Sequence, residues 1–544
     1  MQSKHKLFGG LVAAGSVIAV ILLRATAPAA GDPASEKLAA LLPASAAPAA
    51  APLPTTSAIG RRGPLTDREM KMANVAWKFF EASYQDTTGL ANSVGSYPST
   101  TMWDTASYIS GLVAARELGI IDKRAFDDRA LKLISTLRSL DLFRGELPNK
   151  VYHTKTGAKV NYANKPGEVG FSALDIGRLL VWLKILKENY PYLANGIDNT
   201  LLRWNYCKVV GEDGQLVGSI LNSKKETVYV QEGRLGYEEY AAKGFELWGF
   251  STDGAKSAKP YGFTNIYGVD VPYDTRDPRI FKTKNSVLME SYLLDGLELN
   301  FDEPDDRSDR PEIASHGWRA EFASRVYLAQ QRRFEETGIM TARSEHQVNG
   351  SPYFVYDTVF GDGYAWNTVD PSGVYQPDRA AISMKAAIGM WALWDTPYTD
   401  RLFDTVAELY DPEKGLYEGL YENGSGTIPL NTANNNGIVL AALLYKAKGP
   451  ILKFKNTDTQ LWDTAYADMD LRKRRCLPQP KAAPGSENQP EVAASEFQIC
   501  KAVPAGREFA ATECQVANYR RRSTNPQPAD ASQQSLLAPE GGTP

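Results

Sequence analysis

Five carboxylates stand where a substrate could reach them: Asp104, Glu168, Asp175, Glu232 and Asp357. Paired acids cleave glycosidic bonds, one protonating the leaving oxygen while the other activates water or attacks the sugar. Asp104 follows Trp103 and the loop Tyr97-Pro98-Ser99-Thr100-Thr101, which sets a sugar-stacking ring beside a carboxylate. Its structural alternative is a helix N-cap. Glu168 lies in Pro166-Gly167-Glu168-Val169-Gly170, as a general acid raised by a closed cleft or as a plain loop charge. Asp175 sits one turn inside an apolar helix with Arg178 three residues on, so a catalytic acid competes with a buried ion pair. Glu232 falls between a strand-like and a helical segment, and Glu238 and Glu239 read as one inside and one outside. Asp357 follows Tyr356 in a polar-aromatic stretch that continues through the turn-like Gly361-Asp362-Gly363 to Trp366. Glu345 and Asp378 are further loop acids. Tyr97, Trp103, Tyr356 and Trp366 are the expected stacking surfaces. Arg178, Arg379 and Asn434 are the expected partners for substrate hydroxyl or charged groups.

These residues fall at the ends of long connections between helices. Thr66 and Asp67 start a helix with Met70, Ala73, Trp77 and Phe80 at three- and four-residue spacing. Asp104 opens Thr105–Leu118, and Asp122 caps a helix to about Leu140. Phe171–Glu188, Tyr192–Tyr206, Leu235–Leu247, Asn285–Leu299, Glu312–Thr337, Asp378–Trp394, Tyr398–Tyr410 and Thr432–Lys446 follow, with one more expected near 256–268. Val209–Val230 alternates like short strands. Tight connections such as Asn189–Pro191 and Asp395–Pro397 alternate with long ones rich in Gly, Tyr, Asn and Asp, at 85–103, 141–169, 207–234, 338–377 and 411–431. Helical hairpins arranged in a ring give this alternation, with the working loops gathered at one end. The expected fold is therefore all-α, a ring of helical hairpins with short β elements in its long loops. Its inner helices are expected to be those rich in Gly, Ala and Ser, including Ala106–Gly111, Ala380–Gly389 and Gly437–Leu443.

Two segments carry a family resemblance. Tyr97-Pro98-Ser99-Thr100-Thr101-Met102-Trp103-Asp104-Thr105-Ala106-Ser107-Tyr108 and Gly170-Phe171-Ser172-Ala173-Leu174-Asp175-Ile176-Gly177-Arg178-Leu179-Leu180 together resemble the bacterial family DUF3131, supported by Tyr353–Gly363 and Ala380–Trp394. The resemblance spans most of residues 64–450. The family is similar in layout to six-hairpin (α/α)6 toroids, among them glucoamylase-like and β-1,2-glucanase-type glycoside hydrolases. It implies that fold, and no catalytic residues carry over from it.

Composition bounds the rest. The net charge of −4 and the lack of a large basic surface argue against nucleic acid. Lys4, His5 and Lys6 precede an apolar run, Leu7–Leu23, that reads as a cleaved signal peptide or an inner-membrane anchor. Both readings place the rest of the chain in the periplasm or beyond. Residues 1–24 are thus a signal or anchor, 25–63 an Ala/Pro-rich linker, 64–450 the ring domain and 451–544 a Cys-containing tail. Cys207, Cys476, Cys500 and Cys514 suit export, with Cys476–Cys500 or Cys500–Cys514 the expected pairs. The four His are scattered without metal-ligand spacing, and no metal or cofactor is expected. The function expected is a glycoside hydrolase acting on a polysaccharide or oligosaccharide. Its alternative is a non-catalytic glycan-binding or scaffold subunit of a polysaccharide assembly system. A lyase using His153 or His346 as base is a third reading.

Overall fold

A computed structural model describes residues 60–478, apart from 234, 259, 279–284, 303–316, 454–460 and 466–467. The run Leu7–Leu23, residues 25–59 of the linker, Cys500, Cys514 and the tail beyond 478 lie outside the described residues. Among the described residues, no helix is long and apolar enough to cross a membrane.

The helices are α1 (Asp67–Ser83), α2 (Met102–Glu117), α3 (Lys123–Ser139), α4 (Ala173–Asn189), α5 (Ala194–Leu201), α6 (Tyr237–Glu246), α7 (Glu290–Leu299), α8 (Gly317–Thr337), α9 (Met384–Leu393), α10 (Pro397–Val406), α11 (Ala433–Lys448), α12 (Leu461–Ala465) and α13 (Met469–Arg475). They fall into two kinds. In α3 only Phe126, Ala130, Leu133, Ile134 and Leu137 are buried, one stripe on a helix whose other face is wet. In α2, α4, α7, α9 and α11 nearly every residue is buried, so these helices are surrounded by protein. Contacts run α2 to α4, α4 to α6, α6 to α7, α7 to α9, α9 to α11, and α11 back to α2. The helices α1, α3, α5, α8 and α10 pack around them.

Small residues let the inner helices approach. A Cβ on Gly244 of α6 would lie 2.0 Å from the Gly177 carbonyl oxygen of α4, and one on Gly437 of α11 would lie 2.4 Å from that of Ser107 in α2. Helix starts follow local chemistry. Thr66 and Glu69 form a reciprocal capping box on α1, and Ser172 and Thr432 cap α4 and α11.

Three expectations are corrected. The segment near 256–268 contributes to a hairpin, Tyr261–Ile266 with Val269–Asp274, and not to a helix. Its Tyr-Gly-Phe-Thr-Asn-Ile-Tyr-Gly sequence alternates around a Gly turn, which the helical reading overlooked. Asp104 is not the cap of α2, because Thr101 occupies that position and accepts from the Asp104 amide. The disulfide joins Cys207 to Cys476, with Cα atoms 4.9 Å apart. Trp462 is buried against Trp248, Phe250 and Tyr206, which brings the segment up to Cys476 onto the domain. Nearness along the chain therefore gave the wrong partner.

Candidate active site

The N-terminal turns of the inner helices bring their polar side chains to a common place. Asn434 at the start of α11 accepts from Trp103 Nε1 at 3.2 Å, from Ser107 Oγ at 3.1 Å and from Arg178 Nη1 at 2.8 Å. Its amide donates to Glu290 of α7 at 2.7 Å. Glu290 also meets Lys385 of α9 at 2.5 Å and the Ser344 hydroxyl at 3.0 Å. One buried network thus ties α2, α4, α7, α9 and α11. Deeper along the axis, Arg178 lies 3.5 Å from Glu298, which takes the Tyr240 hydroxyl. Between Glu290 and Glu298 on α7, Asp295 accepts from Lys243 at 2.9 Å and Arg319 at 2.6 Å.

Above this network opens a small pocket. Asp104, Glu345 and Glu418 line it with His346, Lys385 and Asn434, beside Ser93, Gln347, Phe354 and Thr432. Asp104 accepts from Ser93 Oγ at 2.6 Å and Thr101 Oγ1 at 2.8 Å. Burial pushes its carboxyl above the ordinary range despite those donors. Glu418 takes the Thr432 hydroxyl and is likewise raised by burial. Burial alone would raise Glu290 too, but Lys385, Asn434 and Arg178 hold it below the usual value. Burial pushes His346 down to about 4, so the imidazole is neutral at neutral pH.

A second acidic pair stands at the start of α4. The Ser172 hydroxyl lies 3.0 Å from Asp175 Oδ1 and 3.1 Å from Glu232 Oε2, so those oxygens are no farther apart than the two distances laid end to end. Glu232 accepts from the amides of Ala173 at 2.6 Å and Leu174 at 3.3 Å, at the positive end of the helix dipole. Lys150 Nζ is 3.7 Å from its other oxygen. Burial and then Glu232 push Asp175 well above the ordinary carboxyl range. Tyr162 is raised first by burial and then by Asp175 and Glu232, which puts its phenol beside the pair. The Tyr162 carbonyl accepts from the Tyr97 hydroxyl at 3.3 Å.

Strand parity sorts the remaining expected residues. Tyr356 pairs with Glu345 on one side and Val369 on the other, so Tyr356 shares the face of the pocket acid Glu345. Asp357, the next residue, points the opposite way. There it accepts from Arg343, from Thr368 Oγ1 at 2.6 Å and from the Ala381 amide at 2.7 Å. Trp366, outside the strands, has its carbonyl 3.4 Å from the same Arg343 and the Arg333 guanidinium 4.5 Å from its ring centroid.

Other expectations change with the geometry. Trp103 is fully buried and serves as a donor to Glu290 and Asn434 under the Arg178 guanidinium, not as an open stacking surface. Arg178 pairs with Asn434 and Glu298 instead of Asp175, because it points along the axis while Asp175 faces Ser172 and Glu232. Glu168 is half-buried, 2.6 Å from Lys159 and 3.3 Å from Arg144. Burial raises it, but those cations and the Arg144 amide take it below the ordinary value, against the raised acid expected. Arg379 reaches the Tyr421 hydroxyl at 3.2 Å near the surface. Asp362 is an exposed turn residue with φ of 53°. Glu238 and Glu239 are both buried. Glu290, Lys385 and Glu418 were not anticipated. Glu290, Asp295 and Glu298 did leave a signal, being acids in an otherwise apolar helix, the same signal that marked Asp175.

The model of the family described as "Protein of unknown function (DUF3131)" matches residues 71–449. The chain belongs to this family. No curated protein matches it. The structure of this DUF3131 chain is similar to a candidate glucoamylase from Bacteroides caccae, with TM-score 0.52 at 11% identity, covering 74% of this chain and 96% of that one. It is similar to another from Bacteroides fragilis, with TM-score 0.52 at 12% identity over 75% and 96% of the two chains. A third, from Bacteroides uniformis, gives TM-score 0.51 at 12% identity over 75% and 96%. At these identities the likeness concerns the fold.

Proposed function

We propose that the chain is a glycoside hydrolase built on an (α/α)6 toroid, cleaving a polysaccharide or oligosaccharide at the acids gathered above the inner helices. The closed contact order of the inner helices supports the toroid. The observation that carries the function is the gathering of Asp104, Glu345 and Glu418 in one pocket, with the Asp175–Glu232 pair at the neighbouring helix start. Asp104, Asp175 and Glu418 are raised carboxyls, suited to hold a proton for the leaving oxygen. Glu232 receives only donors and fits the base or nucleophile. The Ser172 bridge keeps Asp175 and Glu232 closer than the roughly 6.5 Å at which inverting pairs begin, so this pair fits retention of configuration. Asn434, Lys385 and Tyr97 are the groups nearest to hand for sugar hydroxyls.

One observation favours the non-catalytic alternative. Asn434, Glu290, Lys385 and Arg178 are occupied by one another, as in a structural core. We place the domain outside the cytoplasm, since the Cys207–Cys476 bridge suits an oxidising compartment and Leu7–Leu23 suits export.

The test is incubation of the purified chain with a panel of soluble bacterial polysaccharides, following new reducing ends and the first-formed anomer by proton NMR. New reducing ends with retained configuration fit the Asp175–Glu232 pair. Inversion moves the pair to the pocket acids, and binding without cleavage favours the alternative.

A further inference from the structure

Glu232 is held from two sides, and one of them leads to the C-terminal segment. Its amide donates to the Leu216 carbonyl at 3.0 Å. Leu216 bridges Val210, and the Val217 amide donates to the Val209 carbonyl at 2.8 Å. Val217–Leu221 then pairs with Thr227–Gln231, the strand that ends one residue before Glu232. Val209 in turn donates to the Tyr206 carbonyl at 3.3 Å. The run 206–210 is therefore the base on which the Glu232 hairpin stands.

That base is fastened by residues beyond the family match, which ends at 449. The Tyr206 amide donates to the Arg475 carbonyl at 3.0 Å, and Cys207 is bonded to Cys476. Trp462 lies in a cage of Trp248, Phe250 and Tyr206, with its indole N–H on the Trp248 carbonyl at 3.2 Å and its amide on Asp198 at 2.9 Å. The helix α13 is short and none of its residues is buried, so burial alone gives it little hold. The disulfide and the Tyr206–Arg475 hydrogen bond add to the hold that Leu471 gives against the core.

We propose that Cys476, Tyr206 and Trp462 form a clasp whose task is to position Glu232. The clasp fixes 206–210, that run fixes the hairpin register, and the hairpin delivers the Glu232 carboxylate onto the amides of Ala173 and Leu174 beside Asp175. Cys476 and Trp462 are positioning residues. They act through Glu232 and touch no substrate. The inference rests on the reading of Glu232 as a working carboxylate, but its geometry is testable without any glycan.

The experiment is hydrogen–deuterium exchange of the full chain, comparing wild type, Cys476→Ser and Trp462→Ala. Peptides covering 209–232 and 173–176 should exchange about tenfold faster in both variants, equivalent to roughly 1.4 kcal/mol of lost local protection, while the peptide for α11 stays unchanged. Wild type treated with dithiothreitol under native conditions should give the Cys476→Ser pattern, which covers the case in which that variant fails to fold. Unchanged protection at 209–232, or equal loss across all helices, overturns the clasp. An absence of glycan turnover in wild type, with the exchange pattern as expected, removes the catalytic reading of Glu232 and leaves its positioning intact.

Discussion

Replacing Asp295 by Asn should show how much of the ring's stability is electrostatic. Asp295 is fully buried where α6, α7 and α8 meet, accepting from Lys243 at 2.9 Å and Arg319 at 2.6 Å. The amide keeps the size and removes the charge, leaving Lys243 facing Arg319 without its counter-ion. Removing one member of a buried ion pair costs about 3–5 kcal/mol. A domain of this size unfolds with roughly 0.8 kcal/mol/K of entropy, so Tm should fall by about 4–6 °C. Burial already holds Lys243 below its ordinary value, partly offset by Asp295. Loss of Asp295 pushes it further down. The folded state then favours neutral Lys243, so the deficit should narrow as pH rises. Differential scanning calorimetry at two pH values measures this. A double variant with Lys243→Met should cost about 1–3 kcal/mol less than the two single changes added together. A Tm within about 1 °C of wild type, or strict additivity, refutes the claim that this triad holds the helices.

Other outcomes follow from single contacts. Gly244→Ala puts a Cβ onto the Gly177 carbonyl and should cost about 1–3 kcal/mol by overpacking, visible as a lower denaturant midpoint. His346, pushed down to about 4, stays neutral while an unfolded imidazole near 6.5 takes a proton. The unfolded chain therefore binds more protons between those values. Stability is full above about pH 6.5 and is lost as pH falls toward 4, by up to about 3 kcal/mol. His346→Gln should flatten that slope in urea titrations at pH 7 and pH 5.

Much of the fold was legible in local chemistry. Thr66, Asp122 and Thr432 mark helix starts, and the alternating loop lengths fit the contact order of the inner helices. The site was half legible. Asp104, Asp175 and Glu232 stand out because each is an acid at a helix start or in an apolar run, and the structure brings Asp175 and Glu232 onto one hydroxyl. Asp357 lies away from the pocket because one step of strand parity decides which face it serves, and nothing in the stretch from Tyr353 to Trp366 fixes that parity. Glu418 was missed because its loop is contiguous with the pocket only in space. The disulfide was misassigned for the same reason: Cys207 and Cys476 are 269 residues apart along the chain.

The central claim is that the acids gathered above the inner helices do chemistry on a glycan. Its most direct measurement is the turnover rate of Asp104→Asn, Glu232→Gln and Glu168→Gln on one polysaccharide that the wild type cleaves. Losses of at least about 100-fold are expected for the first two, with Glu168→Gln near wild type because Glu168 is committed to Lys159 and Arg144 away from the pocket. Undiminished rates for Asp104→Asn and Glu232→Gln, or a loss confined to Glu168→Gln, would contradict it.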